Sequence, residues 1–258
     1  MVSKVGKRIN YNERNRFCSV ERIKDVVYLK LDIDFIFEEM NLRVRDNLMD
    51  IFDQISKSKE IKVLVIVNSN ETANIEKYLD ISKHVLESKY CHRMIHRVCN
   101  ILDQLVLNLA NLNKFTIHSN GSKFIPLFFN LSFVCDYRII ASHAVYQKSH
   151  LELGSLPKGG STFFLSKMLE YSKAKRLLLS NKEISALEAL ELGIVDQVVP
   201  INELEDATIQ VAKHTAQLSE KTVLDVKRLV NYSIHGLEDY LKMESRELLK
   251  FSGLYDYF

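Results

Sequence analysis

The run CDYRIIASHAVYQKSHLELGSLPKGG, Cys135 to Gly160, decides how the rest of the chain is read. Tyr137 to Ala141 (YRIIA) is an apolar, β-branched stretch of strand length, and Ala144 to Tyr146 (AVY) is a second, shorter one. Pro157, Gly159 and Gly160 then mark a turn, and Ser161 is placed to cap a helix running to Leu169. Working outward, the same alternation recurs on both sides. Val26–Leu31 (VVYLKL) and Phe115–His118 have strand character, and the continuous apolar run Ile61–Val67 reads as a strand buried on both faces. Between them lie a helical pattern over Asn41–Ile55 and apolar residues from Ile75 to about Asn111 at helical spacing, enough for one or two helices. Pro126 fits the first position of another helix. Downstream, Lys173–Leu179, Ser185–Leu192 closed by Gly193, Glu203–Leu218 and Thr222–Phe251 are helical by period, with a short strand over Val195–Val199. Strand and helix in alternation make an α/β protein. The boundaries expected are a polar extension over 1–20, an α/β core over 21–200 and a helical region over 201–258.

Composition narrows the function classes. The chain has 258 residues, is 47% hydrophobic and 26% charged, and carries a net charge of +2, which excludes a disordered or collagen-like chain and a strongly basic nucleic-acid arm. Basic and acidic residues are intermixed throughout, so no nucleic-acid partner is expected. The most apolar run, Phe124–Val134, is broken by Pro126, Asn130 and Ser132 and is far short of the roughly 20 residues that span a bilayer. Cys18, Cys91, Cys99 and Cys135 are irregularly spaced behind a charged N-terminus, which points to free thiols in the cytoplasm.

Cys135 to Gly160 together with Ala174 to Pro200 (AKRLLLSNKEISALEALELGIVDQVVP) resembles the crotonase superfamily of enoyl-CoA hydratases and isomerases. The residues that carry the likeness are Cys135-Asp136, Leu153-Gly154, Leu156-Pro157 before Gly159-Gly160, Ser185-Ala186 to Glu188-Ala189, Gly193-Ile194-Val195 and Val198-Val199-Pro200. Weaker similarity runs back through Lys114, Lys62–Val67 and Met40-Asn41, so about residues 20 to 220 are covered. The resemblance implies a crotonase-like spiral of ββα units with a C-terminal helical trimerisation region. It also implies an acyl-CoA thioester as substrate, with coenzyme A present only as part of that substrate and no separately bound cofactor or metal.

Family chemistry stabilises negative charge on the thioester oxygen with two backbone N–H donors, an arrangement worth several kcal/mol in the transition state. Counted back from Cys135-Asp136, the family's Gly-Gly-Gly segment falls on Pro126-Leu127-Phe128. Pro126 has no N–H, which leaves the Leu127 N–H as one donor, flanked by the bulk of Leu127, Phe128 and Phe129 where glycine would leave space. The competing reading is that Phe124–Val134 is simply a buried helix. The other donor belongs after Val63–Val67, where NSNETANIEKYLD replaces the family's turn; by length it falls near Ile75. The two hydratase glutamates correspond to Asn130 and His150. Asn130 can hold a water but cannot take its proton, so hydration should be lost or severely slowed. His150 can still act as a single base or acid, or be no more than a polar loop residue.

Four further features carry less. Glu152 is a poor replacement carboxylate, and Asp136 reads as a strand-end fixture. His92 and His96 share a helix face but lack the glutamate and third ligand of a zinc site, and Gly159-Gly160-Ser161 lacks the rest of a phosphate loop. Lys227, Arg228, Lys242, Arg246 and Lys250 alternate with acids as a solvated face would, and one of them could meet a CoA phosphate. The sequence therefore supports an acyl-CoA enzyme of isomerase or lyase type working by isomerisation, decarboxylation or hydrolysis. The alternative is a non-catalytic binding or partner subunit. A homotrimer or hexamer is expected, with Val226, Leu229, Val230, Leu237, Leu241 and Leu248 forming the face buried between subunits.

Overall fold

A computed structural model describes residues 18–32, 42–68, 75–88, 90–121, 126–147, 150–180 and 182–250. Six strands form the main sheet in the order β1-β2-β3-β4-β5-β8, with β1 (Cys18–Ile23) antiparallel to β2 (Val26–Leu31). From there on, β3 (Val63–Asn68), β4 (Phe115–Asn120), β5 (Tyr137–Ala141) and β8 (Gln197–Val199) run parallel to their neighbours. Parallel strands need crossovers. These are supplied by α1 (Leu42–Lys57), by α2 (Ile75–Glu87) with α3 (Cys91–Ala110), by α4 (Pro126–Ser132), and after β5 by a longer excursion. That excursion holds the two-stranded β6 (Val145–Tyr146) and β7 (Ile184–Ser185), together with α5 (Ser161–Met168), α6 (Tyr171–Leu178) and α7 (Ala186–Glu191). The chain then finishes with α8 (Leu204–Gln217), α9 (Glu220–Asn231) and α10 (Leu237–Leu249).

Alternation along the strands explains why both faces are covered. On β3, Leu64 and Ile66 point into the main core with the packed faces of α1, α3 and α4, whereas Val63 and Val65 pack with Ile117, Ile139 and Ala212 and Ala216 of α8. Local signals then set the ends. Ser185 caps α7 through a capping box with Glu188, and Gly193 closes the turn after it at φ 70°, where a side chain would be strained.

Some expectations require correction. The stretch before residue 20, read as aperiodic, already contains the start of strand β1. The helix expected over Thr222–Phe251 is two, because a 3₁₀ turn at Tyr232–Ile234 and Gly236 interrupt it. Ser161 does not cap α5: Gly160 takes the cap position in the left-handed region, and the Ser161 hydroxyl has no partner among the described residues. Lys227 is no solvated lysine either; it is buried against Asp136.

Candidate active site

Pro126 begins α4, as its fixed φ and missing N–H favour, and from this seven-residue helix Pro126, Leu127 and Asn130 face one cavity of about 80 Å³. His150 joins them from the loop after β6, and Tyr146 from β6 itself. Val85 and Leu86 on α2, Ile95 and Leu102 on α3, and Leu248 on α10 supply apolar wall, and the loop from Leu153 to Lys158 closes another side. The expected residues Leu127, Asn130 and His150 are thus brought together. Ile75 is the first residue of α2, the helix that supplies Tyr78 and Ser82 to the same wall; the segment before it, 69–74, lies outside the described residues. Glu152 is exposed and is not part of the wall.

The phenylalanines that threatened to fill the site do not. Phe128 is directed into the core against the ring of His118, with ring centroids 4.4 Å apart, and Phe129 stacks on Tyr146 at 3.9 Å. Helical geometry sends successive side chains about 100° apart, so Leu127 can face the cavity while its two neighbours pack behind it. His118 is fully buried, and burial with the nearby Arg138 charge lowers its pKa to about 3, so it is neutral at physiological pH.

Asn130 differs from expectation in how it is held. Its amide donates from Nδ2 to the Lys158 carbonyl at 2.8 Å, and its Oδ1 accepts from the Tyr146 hydroxyl at 3.0 Å. The side chain is therefore a strut between the loop and β6, with one N–H and one lone pair left to offer. His150 Nε2 lies 2.8 Å from the Leu178 carbonyl, which can only accept, so the bond is made with the proton on Nε2. The ring is buried.

Behind the loop sits a buried ionic cluster that sequence reasoning missed. Lys158 Nζ donates to Asp103 at 2.6 Å, Glu244 at 2.9 Å and Ser245 at 2.9 Å, joining α3 and α10 to the residue whose carbonyl holds Asn130. Burial opposes the Lys158 charge, but Glu244 and Asp103 outweigh it and hold the ammonium above its ordinary pKa. Burial also raises the Glu244 carboxyl, with the Asp103 charge adding to the rise and Lys158 opposing it. Glu244 further accepts the N–H groups of Gly159 and Gly160, each at 3.1 Å. The glycine pair that superficially suggested a phosphate cradle is occupied by this chain's own carboxylate. The only available signal was a lysine in an otherwise apolar turn, Leu156-Pro157-Lys158. Asp136 is structural as read: its Oδ2 accepts from the Thr116 N–H and hydroxyl, both at 2.8 Å, and from Lys227 at 2.7 Å.

All four cysteines are buried and none is in a disulfide. Among the described residues no group of His, Cys, Asp and Glu could hold a metal, and the His92 and His96 rings are 6.4 Å apart. No helix among them is long and apolar enough to cross a membrane.

Comparison with known proteins agrees with this architecture. The "Probable enoyl-CoA hydratase, mitochondrial" of Dictyostelium discoideum is 32% identical over 127 residues, 49% of this chain and 46% of that protein, so the match spans less than half the relative's length. Among solved structures, an enoyl-CoA hydratase from Bacillus halodurans superposes with a TM-score of 0.75 at 19% identity, covering 93% of this chain and 96% of the other. A methylmalonyl-CoA decarboxylase, in complex with 2-nitronate-propionyl-CoA, superposes with a TM-score of 0.69 at 18% identity, covering 95% and 93%. Residues 22–252 match the family described as enoyl-CoA hydratase/isomerase. With that match spanning nearly the whole chain, and the fold shared with crotonase-type structures, this protein belongs to the enoyl-CoA hydratase/isomerase family.

Proposed function

We propose that this protein acts on an acyl-CoA thioester by one-base proton transfer, in isomerisation, decarboxylation or thioester hydrolysis, and not by hydration. The observation that carries the reading is that His150, Asn130 and Leu127 line one cavity. In it, the His150 imidazole moves the proton: from one carbon to another in isomerisation, onto the carbon that loses CO2 in decarboxylation, or off the attacking water and onto the departing CoA thiolate in hydrolysis, while the charge that grows on the thioester oxygen is met by the N–H groups of Leu127 and Ile75. Asn130 contributes no proton transfer, since an amide has none to exchange near neutral pH and this one braces Lys158 and Tyr146. Coenzyme A enters only as part of the substrate, and no other cofactor is required. That the fold houses a decarboxylase as well as hydratases supports chemistry beyond hydration on this scaffold. The protein works in the cytoplasm as a homotrimer or hexamer, for which Val226, Leu229 and Val230 on α9, all more than half exposed in the single chain, supply an unburied apolar face.

A second reading, a non-catalytic binding or partner subunit, is favoured by the cavity's size: about 80 Å³ is small beside the ~300–1,000 Å³ of ordinary ligand pockets. One experiment separates the two. Proton exchange next to the thioester of butyryl-CoA and crotonyl-CoA is followed in deuterated water, with hydrolysis and hydration measured on the same samples. The enzyme reading expects exchange or hydrolysis that falls about 10²-fold or more in His150→Ala with KM little changed, and no detectable hydration of crotonyl-CoA. Binding of both esters without turnover establishes the second reading in its place.

A further inference from the structure

Three lysines are buried among the described residues, Lys114, Lys158 and Lys227, and of these Lys158 alone lines the cavity. Lys114 and Lys227 each face a single carboxylate, Glu220 and Asp136. Lys158 faces two, Asp103 and Glu244, and Ser245 takes its third N–H, so every proton of the ammonium is committed. The Ser245 hydroxyl also donates to Asp103 at 2.7 Å, which bonds α10 to α3 as well as to the lysine. Such a cluster is weak evidence for stability, because taking the charges out of water costs about as much as their attraction returns. What it supplies is a fixed geometry.

The group it fixes is the carbonyl of Lys158 itself, which accepts the Asn130 amide N–H at 2.8 Å. On one side of that carbonyl its own ammonium is held; on the other, the Gly159 and Gly160 N–H groups donate to Glu244, each at 3.1 Å. Both glycines lie in the left-handed region, at φ 84° and 74°, where a side chain would be strained. The Tyr146 hydroxyl meets Asn130 Oδ1 at 3.0 Å, so the amide has one orientation, and its unspent N–H and lone pair have fixed directions. Misplacing a group in an active site by about 1 Å can cost about 10²-fold in rate.

We infer that Lys158 is a positioning residue: held by Asp103, Glu244 and Ser245, it orients the Asn130 amide in the cavity that His150 lines, and acts on the reaction only through that amide. The inference rests on the one-base acyl-CoA reading above, and the wild-type assay tells the failure of one from the failure of the other.

The test is a double-mutant cycle on the full chain, with Lys158→Met, Asn130→Ala and the two combined, assayed by proton exchange and hydrolysis of butyryl-CoA in deuterated water. Lys158→Met should lower kcat about tenfold or more with KM little changed, and should lower it no further when Asn130 is already alanine. Exchange of the Asn130 side-chain amide with solvent, followed by NMR, should quicken about tenfold or more in Lys158→Met. Should Lys158→Met fail to fold, Lys158→Met with Asp103→Asn removes one of the carboxylates left facing the gap and is measured in the same ways. Effects that multiply in the double variant would show that Lys158 supports the fold at large and would overturn the inference, as would an unchanged amide exchange or an unimpaired kcat in Lys158→Met. A wild type that turns over no ester overturns the one-base reading and takes the inference with it.

Discussion

The two C-terminal helices α9 and α10 look alike in sequence and end up in opposite environments. Both are amphipathic, both are rich in charge, and both carry large apolar residues at helical spacing. Yet Leu237, Leu241 and Leu248 of α10 are buried in this chain's own core, whereas Val226, Leu229 and Val230 of α9 are 54%, 77% and 63% exposed. The single intersubunit face expected from periodicity is therefore two faces with different destinations. What separates them is polar. Glu244 on α10 meets Lys158 and two glycine N–H groups inside the protein, so the leucines around it are drawn down onto α3 and Leu248 closes the cavity. The buried polar anchor of α9, Lys227 on Asp136, fixes that helix by one residue and leaves Val226, Leu229 and Val230 in solvent. A hydrophobic stripe says that something will be buried; the charged partner says against what.

The comparison can be broken most forcefully at Glu244. Glu244→Ala leaves Lys158 with one carboxylate in place of two and strips the acceptor from the Gly159 and Gly160 N–H groups, so chemical unfolding should show a loss of about 4 kcal/mol. A loss under about 1 kcal/mol would mean that α10 is held by its leucines alone. Leu241→Ala, which removes a side chain 1% exposed, should cost about 3 kcal/mol by the same measurement.

The core behind the site responds to acid instead. His118 must charge on unfolding but resists charging in the fold, where its pKa is about 3 against an ordinary 6.5. The unfolded chain thus binds the extra proton, so stability is full above about pH 6.5 and falls by up to about 1.4 kcal/mol per pH unit as pH drops toward 3. Urea midpoints measured from pH 7 to 4 in the wild type and in His118→Phe should diverge, with the variant the less acid-sensitive. Parallel curves would show that other groups govern acid unfolding. Leu229→Ser on α9 should have the smallest effect, within about 0.5 kcal/mol for the isolated chain, since the side chain is already in water. In light scattering it should nonetheless lower the oligomer's mass, and an unchanged trimer would remove α9 from the interface.

Legibility followed the range of the interaction. Strands Val26–Leu31 and Tyr137–Ala141 could be delimited from apolar and β-branched runs, and the end of α7 from Ser185, Glu188 and Gly193, because each signal acts over a few residues. The break between α9 and α10 was harder to see: the helical period runs across it, and the signal is a lone Gly236. Strand β1 was hidden by its polar, alternating composition, which suits an edge strand whose partner lies on one side only.

The sequence by itself determined the α/β class, the family likeness and the placing of Pro126 at a helix start. Those follow from residue identity and from contacts within a turn or two. Only the tertiary structure decided that Phe128 and Phe129 pack away from the cavity, that Asn130 is a strut tied to Lys158 and Tyr146, and that Lys158, Asp103 and Glu244 meet at all. Those partners come from separate elements, brought together when the crossovers fold over the sheet, and no periodicity along the chain encodes which buried charge will find which.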